Sequence, residues 1–106
     1  MTVGFRRTTI TVLGLIVILI ALTTCGVQTE RVHGMIVKVQ SAGILDIELL
    51  ELVDDHGRTW VLVGPGPFGH FTPSHLKQHM VLGEKIEATF YRQDGRLFID
   101  KLADYP

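Results

Sequence analysis

A small, mainly β domain of five strands and one short helix is the fold that residues 31–106 predict, and three observations predict it. Apolar and polar residues alternate with a period of two along several segments, most cleanly at Ile86, Ala88 and Phe90 against Glu87, Thr89 and Tyr91. Turn chemistry separates these segments, with Asp54-Asp55-His56-Gly57 and Asp94-Gly95 suited to hairpins. Between Thr72 and Gly83 alone does the spacing change to that of a helix. The helix is expected between the third and fourth strands.

The first strand is expected over Arg31 to Gln40, with His33, Met35, Val37 and Val39 on one face and Val32, Gly34 and Ile36 on the other. Apolar residues on both faces point to a strand shared by two layers, and Gly34 marks the place to bend. After the turn Gln40-Ser41-Ala42-Gly43, a second strand is expected from Ile44 to Val53. Its apolar parity switches from Leu45, Ile47 and Leu49 to Leu50 and Leu52, the mark of a β-bulge. The third strand is expected over Arg58 to Val63. Gly64 to Phe71, with two prolines and three glycines, reads as an irregular loop. Thr72 suits an N-cap, Pro73 the first helical position and Gly83 the stop, with Leu76, Met80 and Val81 along one side. Strands four and five are expected over Glu84 to Gln93 and Arg96 to Leu102, with a tail from Ala103.

Ahead of this domain stands a different kind of segment. Arg6-Arg7 precedes an apolar run from Ile10 to Leu22, the pattern of an export signal whose positive end stays on the cytoplasmic side. The run ends in Leu22-Thr23-Thr24-Cys25, which resembles the lipobox of bacterial lipoproteins, although Thr24 stands where Gly, Ala or Ser is usual. By that resemblance residues 1–25 are the signal, cleavage falls within Leu22, Thr23, Thr24 and Cys25, and Cys25 becomes a lipidated first residue carrying fatty acyl chains such as palmitate. Membrane lipid would be its partner, and the extracytoplasmic face of the cell membrane its location. Residues 26–30 are then a short tether. The same segment also reads as an uncleaved signal anchor from about Thr8 to Val27. A twin-arginine route rests on Arg6-Arg7 alone.

Of the ten basic residues, Arg6 and Arg7 belong to the signal, so the remainder carries eight against eleven acidic. A mildly acidic domain is a poor match for a polyanion. Cys25 is the single cysteine, which excludes an internal disulfide and leaves lipidation as its use.

Three strands, a helix and two strands, with the first bent and the second bulged, resemble the OB-fold over about Arg31 to Leu102. A small SH3-like barrel competes, but the helix favours the OB reading because Leu76 and Met80 would plug the barrel. Binding of oligonucleotides by such domains uses the face of strands two and three with the loops between strands one and two and between strands four and five. Here those loops are minimal and the strands bring Asp46, Glu48, Glu51, Asp54 and Asp55 with the lone Trp60, so no nucleic-acid partner is expected.

Five histidines offer a metal reading. His75 and His79 stand at i, i+4 on the expected helix, a spacing that places two imidazoles on one ion, with His70 and Met80 in reach of joining them. His33 and Met35 share a strand face and would suit a soft ion. There is a resemblance in size and fold to periplasmic copper-binding OB proteins of the CusF type, whose site combines His, a Trp over the ion and a Met-x-Met pair. Trp60 lies in the corresponding region, but this chain has no Met-x-Met. No third ligand stands at fixed spacing from either pair, so the sequence favours no metal and implies no cofactor.

Nor does it favour an enzyme, since Ser41 and Ser74 stand outside any nucleophile elbow and Gly64 to Gly69 lacks the ending of a phosphate loop. In the loop before the helix, Phe68 and Phe71 either cover the barrel or form, with Trp60, an aromatic surface for an envelope protein or small ligand. The sequence thus points to a membrane-anchored binding or assembly module of the cell envelope, with an envelope copper- or zinc-binding protein as the alternative.

Overall fold

The computed structural model describes residues 27–106, so the signal, its cleavage site and Cys25 lie outside the described residues. Five strands, β1 (Thr29–Ser41), β2 (Asp46–Val53), β3 (Thr59–Pro67), β4 (Lys85–Gln93) and β5 (Arg96–Asp104), form one closed barrel in the order β1-β2-β3-β5-β4. The single described helix, α1 (Pro73–Leu82), connects β3 to β4. All neighbours are antiparallel except β3 and β5, which run parallel through Leu62 and Val63 against Leu97 and Phe98. The OB-like barrel expected from the sequence is the fold of the described residues.

Closure depends on β1, which serves two partners. From Thr29 to Met35 it pairs with β4, and from Met35 to Ser41 with β2. At Gly34, where the exchange begins, any side chain would collide with the carbonyl group of Val53, so the shared, bent strand needs its glycine. Thr29 and Glu30, expected in the tether, are already strand, opposite Tyr91 and Phe90.

Bulges correct the side-chain directions read from sequence. An extra residue on β1 between Ile36 and Lys38 shifts its parity, so Val39 packs on the core while Val37 remains exposed. The β2 bulge is present, with Glu48 the residue left over between Ile47 and Leu49, and it puts Ile47, Leu50 and Leu52 in the interior. Ile44 and Leu45 precede the strand and are exposed, the former to 91%. The hydrophobic period there belonged to a loop.

The larger correction concerns Gly64 to Pro67. This stretch continues β3, with Gly66 opposite Ile47 and Pro67 opposite Asp46, and the Gly64-Pro65 bond is cis. Proline is tolerated because β5 contacts β3 only around Leu62 and Val63, which leaves the later residues on a free edge where no donor is missed. Gly64 again has no room for a side chain, its Cβ position falling on the carbonyl of Ile47.

Helix α1 starts and stops as the sequence predicts. Thr72 Oγ1 accepts the His75 backbone N–H at 3.2 Å, Pro73 opens the first turn, and Gly83 at φ 69° ends it. Leu76 is completely buried and Met80 packs against the core, whereas Val81 is 81% exposed and takes no part. The core that Leu76 joins includes Ile36, Leu52, Leu62, Ile86 and Phe90. Leu76→Ala should therefore cost about 2–5 kcal/mol by chemical denaturation, with the barrel retained. A near-neutral result would show that the helix does not close the core.

Candidate functional site

Two histidines and a carboxylate from distant parts of the chain meet where α1 ends and β5 finishes. His75 and His79 lie one turn apart, with Nε2 atoms 3.0 Å from each other and rings stacked at 4.8 Å between centroids. Asp104, the last residue of β5, brings Oδ1 to 3.3 Å from His79 Nε2. Its place follows from pairing: Asp104 sits opposite Ile86, two residues after Glu84. Ligand atoms of His75, His79 and Asp104 all lie within 4.8 Å of one another. A third group able to act as a ligand, which spacing could not supply, stands in a segment read from sequence as a tail.

The end of the helix adds a fourth group. Gly83 takes the left-handed conformation and the Glu84 N–H donates to the His79 carbonyl at 2.9 Å, which turns the chain back over the imidazole. Glu84 Oε2 then stands 3.6 Å from His79 Nδ1. His79 is only 7% exposed, and its Nδ1 is buried without a hydrogen-bond partner. A cleft of about 480 Å³ opens on these groups, lined also by Lys85, Tyr105 and Pro106.

Beside the cleft the acidic turn of β2 and β3 serves the fold. Asp54 Oδ1 accepts the N–H groups of His56 and Arg58, each at 2.9 Å, and its Oδ2 accepts Trp60 Nε1–H at 2.9 Å. The Trp60 bond, followed by the Arg58 N–H, holds this carboxyl below the usual carboxylate range. Asp55 accepts from Lys85 Nζ at 2.8 Å and lies 3.0 Å from His33 Nε2. It is likewise lowered, first by Lys85 and then by His33, and it raises Lys85 in turn. His33 also stacks on Tyr105 at 4.0 Å, which ties the cleft wall to β1.

The other sequence candidates fall elsewhere. Phe71, expected either as cover or as contact surface, is buried in the core and is not available to a partner. Phe68 is half-buried against the same core. Trp60 is half-buried, bonded to Asp54 and tilted against Phe90 at 5.7 Å, with the Arg58 guanidinium 5.7 Å over its ring. These aromatics do not form one exposed patch. His33 is engaged with Asp55 and Tyr105, while Met35 is 44% exposed. His70 packs edge-on to His75 without joining the three-ligand group, and Met80 packs on the core. No protein-family model, curated protein or solved structure matches the chain.

The lowered Asp54 carboxyl has a thermodynamic consequence. Its folded-state pKa lies below the unfolded value, so the stability it adds is present above about pH 4 and lost as pH falls through the folded value. Asp54→Asn should destabilise the domain at neutral pH, and the gap to wild type should narrow in acid. Urea midpoints followed down the acid range check this, since a gap independent of pH would mean that the charge is not what matters.

Proposed function

We propose that the chain is a lipid-anchored lipoprotein on the extracytoplasmic face of the cell membrane, whose OB-fold domain acts as a binding module through the cleft between α1, β4 and β5. The observation that carries the binding role is the convergence of His75, His79, Glu84, Lys85 and Asp104 on one open cleft. Groups of this kind bind or orient something polar, and they come from three separate elements that only the folded barrel brings together.

Anchoring rests on the Leu22 to Cys25 sequence together with the position of β1. The first strand begins at Thr29, four residues after Cys25, and four extended residues reach at most about 14 Å. The barrel would be held against the bilayer surface, where it would meet its partner, an envelope protein or a small ligand. Acidic Asp46, Glu48, Glu51, Asp54 and Asp55 on β2 and its turn argue against a nucleic-acid partner.

Growth with a labelled fatty acid tests the anchor. The wild-type chain should take up label and lose residues 1–24, whereas Cys25→Ser should take up none and persist at full length. An unlabelled wild-type chain that still begins at Met1 would establish the uncleaved signal anchor in its place.

A further inference from the structure

The cleft has the donor set of a specific metal class. Two nitrogen or oxygen ligands that each stand ~2.0–2.1 Å from a tetrahedral Zn²⁺ lie roughly 3.3 Å apart. His75 Nε2 to His79 Nε2 is 3.0 Å, and His79 Nε2 to Asp104 Oδ1 is 3.3 Å. These two separations are those of ligands around one ion, while the third pair, His75 with Asp104, lies within 4.8 Å and would draw together on binding.

The state of His79 points the same way. An imidazole that offers its Nε2 lone pair to a cation carries its proton on Nδ1, and that proton needs an acceptor. Here Nδ1 is buried, lacks a hydrogen-bond partner, and has the Glu84 carboxylate 3.6 Å away. Metal-ligating histidines commonly have such a carboxylate behind them, which fixes the tautomer and strengthens the ligand. Every polar atom of this buried ring is then assigned: Nε2 toward the ion with His75 and Asp104, and Nδ1–H toward Glu84.

From these observations we infer that His75, His79 and Asp104 form a binding site for a divalent first-row transition ion of the Zn²⁺ class, with Glu84 orienting His79. Imidazole and carboxylate donors select borderline divalent ions over Cu(I), which prefers thiolate and thioether. Met80 and Met35, the sulfur donors considered from sequence, are outside the three-ligand group. Three protein ligands leave a fourth position, and the cleft provides access to it. The inference deepens the reading of the cleft as the binding site.

Titration of the purified full-length chain in detergent micelles with Zn²⁺ tests it. One equivalent should bind, and of the five imidazoles those of His75 and His79 should show the direct shifts in the NMR spectrum. Asp104→Asn, at an exposed position, and His75→Ala, at a half-buried one, should each weaken binding by about 10–100-fold or more, judged from what loss of supporting groups alone costs. His56→Ala should bind as wild type does. With Co²⁺ as the probe, d–d absorption should appear without a thiolate charge-transfer band, which separates this site from a free Cys25. Absence of saturable Zn²⁺ binding, or binding that survives both Asp104→Asn and His75→Ala, overturns the site. A chain that carries lipid but binds no zinc overturns the metal centre and leaves the anchored module standing; zinc binding by a chain that carries no lipid supports the centre and overturns the anchoring.

Discussion

The absence of a side chain at Gly34 is the constraint on which the rest of the structure depends. A barrel of five short strands can close only if one strand belongs to both ends of the sheet, and β1 does this by exchanging β4 for β2 near Met35. The exchange brings β1 so close to the end of β2 that a Cβ at Gly34 would occupy the carbonyl of Val53. Closure satisfies backbone groups that an open edge would expose, except along β3 beyond Val63. It also encloses the interior that Leu76 fills, and thereby fixes the position of α1. Once α1 and the β4–β5 pairing are fixed, His75, His79 and Asp104 have little freedom to be elsewhere.

What was legible in the sequence follows the range of the interactions concerned. Turns and caps are local: Gly57 and the Asp94-Gly95 pair have the positive φ values that their hairpins require, and Thr72, Pro73 and Gly83 bound the helix. The β2 bulge was legible because it shifts parity among residues adjacent in sequence. By contrast, strand character at Pro65 and Pro67 was not, since it depends on β3 having a free edge there, which is a property of the whole sheet. The fate of Val37 and Val39 depended on a bulge that leaves no mark in residue type. Residue type alone allows Phe71 to be cover or surface, and it is the fold of the loop that puts it in the interior.

The site divides in the same way. His75 and His79 form a pair visible at i, i+4, but Asp104 lies 25 positions beyond His79 and arrives through the register of two strands, itself altered by an irregularity between Thr89 and Phe90. No spacing rule reaches that far. The one signal available was the polar character of His79 itself, which stands three residues after buried Leu76 and so shares its inward side of the helix. A helix that faces a barrel core is expected to carry an aliphatic residue there.

That position also separates the carboxylates that serve the fold from those that do not. Asp54 is occupied by three hydrogen bonds, Asp55 by Lys85 and His33, and Glu30 by Arg92 at 2.7 Å. Each of the three has its pKa lowered by these partners, as expected for acids that neighbouring donors already stabilise. For Asp104 and Glu84 the neighbouring group is the buried ring of His79. Burying an imidazole costs free energy that a leucine would not, and pairing offsets the cost only if both nitrogens find partners. Carboxylates stand near both nitrogens, Asp104 at 3.3 Å from Nε2 and Glu84 at 3.6 Å from Nδ1, yet Nδ1 itself makes no hydrogen bond. A fold that needed only an apolar plug has Leu76 for that purpose; His79 beside it, with acid on both sides and a second imidazole in contact, is what the proposed site accounts for.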